Sequence, residues 1–252
     1  MSKIFIAIIG IICSVSLQAQ TADEIVETYL ENTGGKENWK NVKSQKIIAS
    51  INANGMKIPL EIWNFSDGKV YTAFELQGKK MVQQVFDGEK GYEMNFMTQK
   101  MEEIESETVE NLKRNKGDFP SPFLDYKEKG YTLDLVGVET VEGVECFKLK
   151  FTTGKKLSEG KEVDDVSYYY FDKENYVPIV VETTITGGPM AGKTAVTILS
   201  DYDEVDGLYL PFSMQEKLKD GEGEGQTISF DKIELNVKVE DSMFDFSDYK
   251  TK

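Results

Sequence analysis

The stretch "SDYDEVDGLYLPFSM" (200–214) joins two signals that together indicate a β-hairpin. The Asp-Gly pair at 206–207 is typical of a two-residue turn between antiparallel strands. After this pair, apolar residues occupy every second position, as in a strand with one buried face: Leu208, Leu210, Phe212 and Met214. We therefore expect the preceding acids to end one strand on the solvated rim of a sheet.

The same stretch contains four carboxylates within six residues, which also suggests a calcium loop. An EF-hand loop has Gly at its sixth position and Glu at its twelfth. Counted from Asp201, the seventh position is Gly207 and the twelfth is Phe212, so the spacing fails twice. We expect no metal site and no cofactor.

Hairpin signals recur along the chain and predict an antiparallel meander. Gly-containing turns are expected at 54–55, 67–68, 87–88, 142–143 and 206–207, between short runs rich in Val, Ile, Tyr and Phe. The pattern predicts about eleven strands and a twelfth near 226–237. The predicted strands are 43–53, 58–66, 69–77, 80–87, 90–95, 131–141, 144–153, 164–172, 177–186, 194–202 and 208–217.

Two segments depart from the strand pattern. Thr21 and Glu24 have the spacing of a capping box, and Gly34-Gly35 is a stop signal, so an amphipathic helix is expected between them. The charged segment 101–117 predicts a second helix. The stretch that follows it, 118–130, predicts a loop plus a short helical turn with aromatic residues around two prolines. These segments are expected to cover one face of the sheet.

The first residues predict export. Lys3, an apolar run from Ile4 to Val15, and Ala19 have the layout of a secretory signal peptide over 1–19. Cys13 raises a lipid anchor as the rival interpretation, but Ile12 stands where bacterial lipidation requires a small residue. We expect cleavage after Ala19, a periplasmic protein without an anchor, and one domain over 20–252.

Composition excludes several functions. The chain has 44 acidic and 29 basic residues and a net charge of −15, which disfavours binding to nucleic acids. It contains no histidine, so triads based on histidine and histidine zinc sites are excluded. Cys146 would be the single cysteine of the exported chain, and no disulfide is expected within it. We expect no enzymatic activity, with a carboxylate-based hydrolase as a distant alternative.

Several strands are apolar on both faces, which predicts a curved sheet whose faces are both covered in places. The fold class expected from this pattern is mainly β with helices (α+β). It would be an antiparallel half-open barrel with an N-terminal helix and a helical lid inserted midway. Such a barrel can enclose a ligand cavity.

The order of these elements resembles the LolA-like family of periplasmic outer-membrane lipoprotein-sorting proteins. The opening "ADEIVETYLENTGGKENWKNVKS" (22–44) is similar to the helix, glycine pair and first strand of family members. "YYYFDKENYVPI" (168–179) and "DYDEVDGLYLPFSM" (201–214) resemble a central and a late hairpin of the family. The resemblance extends over nearly all of the chain after the signal peptide.

The resemblance implies a carrier that holds the acyl chains of lipoproteins or another lipid beneath a helical lid, with inner- and outer-membrane envelope proteins as partners. The implied ligand-binding residues are Trp63, Phe65, Tyr168 and Tyr170 on the sheet and Phe119, Phe123 and Leu124 on the lid. The family's carrier has an arginine inside its cavity, whereas the only arginine here, Arg114, falls in the inserted helix. The alternative is a binding or structural protein that docks an envelope protein and fills the concave face with its own side chains.

Overall fold

The computed structural model describes residues 20–53, 56–221, 223, 225–239 and 241–249. The expected signal peptide, including Cys13, and the expected turn at 54–55 lie outside the described residues. Among the described residues, no helix is both long and apolar enough to cross a bilayer.

The first helix forms where the capping signals place it. Helix α1 (Ala22–Asn32) begins after Thr21, whose hydroxyl accepts a hydrogen bond from the backbone N–H of Glu24 while the Glu24 carboxylate accepts one from the N–H of Thr21. This reciprocal arrangement is the predicted capping box. A short helix that was not predicted, α2 (Lys36–Lys40), follows the glycine pair and buries Trp39.

Thirteen strands form one antiparallel sheet. They are β1 (Ser44–Ala53), β2 (Met56–Phe65), β3 (Val70–Leu76), β4 (Lys79–Phe86), β5 (Gly91–Asn95), β6 (Lys100–Glu103), β7 (Thr132–Val141), β8 (Val144–Ser158), β9 (Lys161–Asp172), β10 (Pro178–Thr184), β11 (Thr194–Val205), β12 (Leu208–Leu218) and β13 (Gln226–Leu235). The prediction of a mainly β, antiparallel fold is confirmed, but the expected number of strands was too low.

The prediction missed β6, because its residues were assigned to the start of the inserted helix. The turn before β6 uses Gln99 with a left-handed φ of 56°, so no glycine marks it in the sequence. A strand of four residues is also too short to show a period of two. The inserted helix α3 is correspondingly shorter than expected (Ser106–Arg114), and a 3-10 turn follows it (Asn115–Asp118).

The order of strands explains how the sheet stays open. Six strands run outward from β1 to β6, and the remaining seven return from β7 to β13, which pairs with β1. The two edges, β6 and β7, are therefore consecutive in the chain, and the segment 104–131 connects them. This segment crosses to the second half of the sheet, where Asn111 of α3 exchanges two hydrogen bonds with the backbone of Leu157.

The hairpin around Asp206 forms as predicted. Val205 pairs with Leu208 across a turn in which Asp206 and Gly207 have φ values of 51° and 82°. Left-handed values at both central residues are those of a type I′ turn. The backbone N–H of Tyr209 also donates to the carbonyl of Thr33 (3.1 Å), so this hairpin holds the end of α1.

The two faces of the sheet carry separate apolar clusters. The inner cluster lies on the concave face and joins α1, α2 and residues 123–126 to strands from both halves of the sheet. One outer cluster covers β2 to β5 beneath the described part of the C-terminal segment (237–239 and 241–249), and another lies on β8 to β11. Because residues from β2 and from β8 meet in the inner cluster, the sheet curves around it.

Candidate functional site

The lid segment, defined here as residues 119–128, lies against the concave face of the sheet. Phe123 is only 3% exposed, and its ring packs against four aromatic rings at centroid distances of 4.9–5.9 Å: Tyr29, Phe151, Tyr169 and Phe171. Leu124 is buried in the same inner cluster, and Phe119 is half-buried against it. The three predicted lid residues thus lie together on the concave face.

A cavity of about 270 Å³ lies between the lid segment and the sheet. Its walls come from α1, α2, residues 120–123 and six strands, and β11, β12 and β13 supply nine of the thirteen strand residues. The apolar and aromatic lining residues include Tyr29, Trp39, Ile47, Phe123, Tyr169, Leu199, Leu208, Leu210, Met214, Phe230, Ile233 and Leu235. Three of the alternating residues of the 208–214 strand, Leu208, Leu210 and Met214, therefore line the cavity, and Phe212 packs against the inner cluster.

The polar groups in these walls are largely satisfied by the protein. The Tyr202 hydroxyl donates to the carbonyl of Pro178 (2.5 Å), and the Trp39 indole N–H donates to Thr33 Oγ1 (3.0 Å). Burial raises the pKa of Tyr169 to about 12, so its phenol is neutral at physiological pH. In the described part of the chain, every buried side-chain nitrogen and oxygen has a hydrogen-bond partner. The cavity therefore offers an apolar surface with no uncompensated charge.

Ion pairs attach the lid segment to the helices. The Asp125 carboxylate lies 2.9 Å from the amino groups of both Lys36 and Lys40, and these contacts lower its pKa. Asp23 of α1 accepts hydrogen bonds from Lys127 (2.5 Å) and from the hydroxyl of Tyr126, and both bonds lower the pKa of Asp23. We refer to these contacts of Asp125 and Asp23 as the lid latch.

A second polar group lies beside the start of the lid segment. The Tyr131 hydroxyl donates to Asp118 (3.0 Å), and the amino group of Lys129 is 3.9 Å from the same carboxylate. Burial raises the pKa of Asp118, lowers the pKa of Lys129 and raises that of Tyr131 to about 12. These groups are desolvated but neutralise one another, which is typical of a structural network at a rim.

The predicted strand residues lie on the wrong face for this cavity. Trp63 and Phe65 stack on each other in the outer cluster under the C-terminal segment, with ring centroids 5.9 Å apart. Tyr168 and Tyr170 belong to the other outer cluster, with Cys146. The expectation that these four side chains share a cavity with the lid is corrected, because neighbouring residues of a strand point to opposite faces.

On β2 and β9, the residues of the concave face that the prediction missed are the neighbours of those it named. On β2, Leu60 and Ile62 face the inner cluster, and on β9 Tyr169 and Phe171 do so. Both sets were visible as apolar runs with a period of two. No local signal distinguishes the two sets, because each face of these strands is apolar and each is covered by another part of the chain.

The fold is similar to that of a LolA superfamily protein from Nitrosomonas europaea, with a TM-score of 0.56 and 13% identity over 92% of this chain and all (100%) of that one. It is similar to a DUF1329 family protein from Desulfovibrio piger, with a TM-score of 0.54 and 15% identity over 91% of this chain and 99% of that one.

A domain from Vibrio parahaemolyticus named for outer membrane lipoprotein sorting is also similar, with a TM-score of 0.50 and 14% identity over 91% of this chain and 98% of that one. No protein-family model and no curated protein matches the sequence. At identities of 13–15% these similarities show a common architecture over almost the whole chain. The chain has the LolA-like fold.

Proposed function

We propose that this protein is a periplasmic carrier that binds the acyl chains of a lipid or lipoprotein between its lid segment and the concave face of its sheet. The observation that carries the proposal is the cavity of about 270 Å³ with its apolar lining. Burial of an acyl chain contributes about 0.8 kcal/mol per CH₂ group, so binding requires no charged anchor. The proposed activity is reversible binding without a covalent step.

The size of the cavity implies that it must enlarge when cargo binds. Ligand pockets typically have volumes of about 300–1,000 Å³, and the present cavity lies just below this range. Because Phe123 fills the space between the cavity and four aromatic rings, movement of the lid segment would enlarge the cavity. The proposal therefore requires the lid latch to open when cargo binds.

The two tryptophans allow a direct test, because they lie on opposite faces. Trp39 lines the cavity, and Trp63 lies in the outer cluster. The chain contains only these two tryptophans. In the Trp63→Phe protein the single remaining indole is Trp39 in the cavity, and in the Trp39→Phe protein it is Trp63 in the outer cluster. A fatty acid with bromine on its acyl chain quenches an indole only on contact, and fluorescence can be followed as it is added below its micelle concentration.

The expected result is saturable quenching of Trp39 in the Trp63→Phe protein and little quenching of Trp63 in the matched Trp39→Phe protein. Circular dichroism of both variants shows whether each keeps the native sheet. Equal quenching of both tryptophans, or no quenching at any concentration, would contradict the carrier proposal. Organic extraction and native mass spectrometry of protein purified from its own periplasm would then identify the cargo.

A second candidate function is docking of an envelope protein without any cargo. The observation in its favour is that the protein's own side chains, above all Phe123 and Leu124, fill most of the concave face. This candidate predicts that neither tryptophan is quenched and that the purified protein contains no extractable lipid. The same experiment therefore separates the two functions.

A further inference from the structure

The exposed apolar residues of the protein are concentrated at three neighbouring hairpin tips. We define the tip patch as residues 56–58, 76–80 and 96–100, which belong to the β1–β2, β3–β4 and β5–β6 hairpins. Eight large apolar side chains are exposed in the described part of the chain, and half of them lie in these thirteen residues. Their exposed fractions are 59% for Met56, 40% for Leu76, 64% for Phe96 and 96% for Met97.

The tip patch also differs in charge from the rest of the chain. Its thirteen residues include four lysines and no acid, although the whole chain has 44 acids and 29 basic residues. Lys57 lies 3.4 Å from Asp231, and Lys80 lies 2.6 Å from Glu61. Lys79 and Lys100 are exposed and form no ion pair with any described residue. The patch is therefore an apolar surface on an acidic protein, with two lysines that are unpaired among the described residues, and Glu102 at its border accepts a hydrogen bond from Thr98.

The patch continues into the concave face. The Phe96 ring lies 6.1 Å from the ring of Phe74, and Phe74 packs against the inner cluster together with Ile51 and Ile62. The apolar surface thus runs from the buried region near the lid segment to the exposed tips without leaving the inner side of the sheet. A molecule seated on the patch would lie at the end of the sheet opposite the hairpin at 206–207.

We propose that the tip patch docks this protein on the surface of an anionic lipid bilayer. Apolar side chains enter the boundary between headgroups and acyl chains, while lysines place their amino groups among anionic headgroups. The net charge of −15 makes the molecule as a whole repel such a surface, which favours an approach with this face, where the lysines lie, toward the bilayer. Docking is inferred from the patch alone. A role in passing acyl chains into the half-barrel would in addition rest on the proposed function.

Vesicle flotation with the full exported chain tests the proposal. The vesicles contain phosphatidylcholine alone or a mixture with phosphatidylglycerol, at low and at high ionic strength. Binding is expected only to the anionic vesicles, with loss in high salt. Phe96→Ser combined with Met97→Ser should weaken binding at least tenfold, and Lys79→Glu combined with Lys100→Glu should weaken it by about tenfold or more.

Matched controls lie on other exposed loops. Met190→Ser removes an apolar side chain that is 48% exposed outside the patch, and Lys161→Glu with Lys193→Glu makes the same change in charge elsewhere. Both controls should float like the unmodified protein. Absence of binding to anionic vesicles, equal loss in the control and patch variants, or self-association of the chain through the patch without vesicles would overturn the proposal.

The fatty-acid quenching of Trp39, measured without vesicles, keeps this test separate from the proposed function. Patch variants that lose vesicle binding but keep the quenching support docking as a distinct activity. Vesicle binding that persists in a protein without any quenching would leave the docking inference standing and the carrier function rejected.

Discussion

Two consecutive glycines end the first helix, and the structure gives them different constraints. Gly34 has a φ of 120°, and a Cβ atom placed on it would lie 2.1 Å from the carbonyl oxygen of Gly207. Gly35 also has a positive φ, 87°, but a Cβ atom there would meet nothing within 4 Å. Only the first glycine is required by close contact between the helix end and the hairpin at 206–207.

This difference predicts unequal effects of alanine. Gly35→Ala should lower the free energy of unfolding by about 1 kcal/mol, the cost of a left-handed backbone for a residue with a Cβ atom. Gly34→Ala should lower the free energy of unfolding by about 3 kcal/mol or more, because the backbone must shift either at the helix end or at the hairpin turn 206–207. Urea denaturation measures both free energies of unfolding. Equal decreases in the two variants would show that the close contact with Gly207 does not affect stability.

At the scale of elements, the lid segment combines a buried centre with an ionic boundary. Phe123 and Leu124 anchor it to the inner cluster, whereas the lid latch joins its exposed side to α1 and α2. Contacts between exposed ions are weak, so the latch can open without unfolding the sheet. This division suits the movement that the proposed carrier function requires of the segment.

The latch predicts a dependence on pH. Contacts with Lys36 and Lys40 lower the pKa of Asp125 from its ordinary value of 3.8, so the latch stabilises the closed lid above about pH 4 and loses this effect as the pH falls below that value. Asp125→Asn should therefore speed amide hydrogen exchange within 119–128 by about two- to fivefold at pH 6. The difference from the unmodified protein should shrink as the pH falls below 3.8 and through the lowered pKa of Asp125.

Asp164 provides the matched control for this measurement. It forms an exposed pair with Lys155 (2.5 Å) whose contacts also lower the pKa of Asp164, but it lies far from the lid segment in the chain. Asp164→Asn should leave exchange in 119–128 unchanged. If both variants speed exchange there equally, the effect reflects overall charge and the latch has no specific role.

At the scale of the whole molecule, the C-terminal segment 237–249 allows both faces of the sheet to be apolar. Phe244 packs edge-on against Phe65 with ring centroids 5.7 Å apart, and Phe246 packs against Tyr92 at 5.3 Å. Trp63 and Tyr71 are thereby only 5% and 6% exposed. Without this segment, the outer face of β2 to β5 would present a large apolar surface to water.

A chain that ends at Asn236 should therefore lose about 3 kcal/mol or more of its free energy of unfolding and bind a dye for exposed apolar surface. A control chain that ends at Tyr249 should behave like the unmodified protein. If the shorter chain proves too unstable to purify, Phe246→Ala gives a milder version of the same change. Unchanged stability and dye binding in both variants would show that the segment is not needed as a cover.

Local signals were sufficient for most elements. Capping residues located α1, and glycine turns with alternating side chains located twelve of the thirteen strands. They failed for α2 and β6, which have four or five residues and therefore span too little chain for periodicity to be visible. The place of Phe119, Phe123 and Leu124 outside the strands was predictable because the neighbouring prolines do not fit a strand pattern, whereas their role as ligand-binding residues stays a prediction.

The sequence by itself determined the antiparallel hairpins, the opening helix and the position of the insertion, since each depends on residues close together in the chain. Only the tertiary structure decided that β13 returns to β1 and that Tyr169, rather than Tyr168, faces the lid. A period of two shows that side chains alternate but not which face is concave. That choice depends on which distant segment covers each face, and here the lid and the C-terminal segment cover opposite ones.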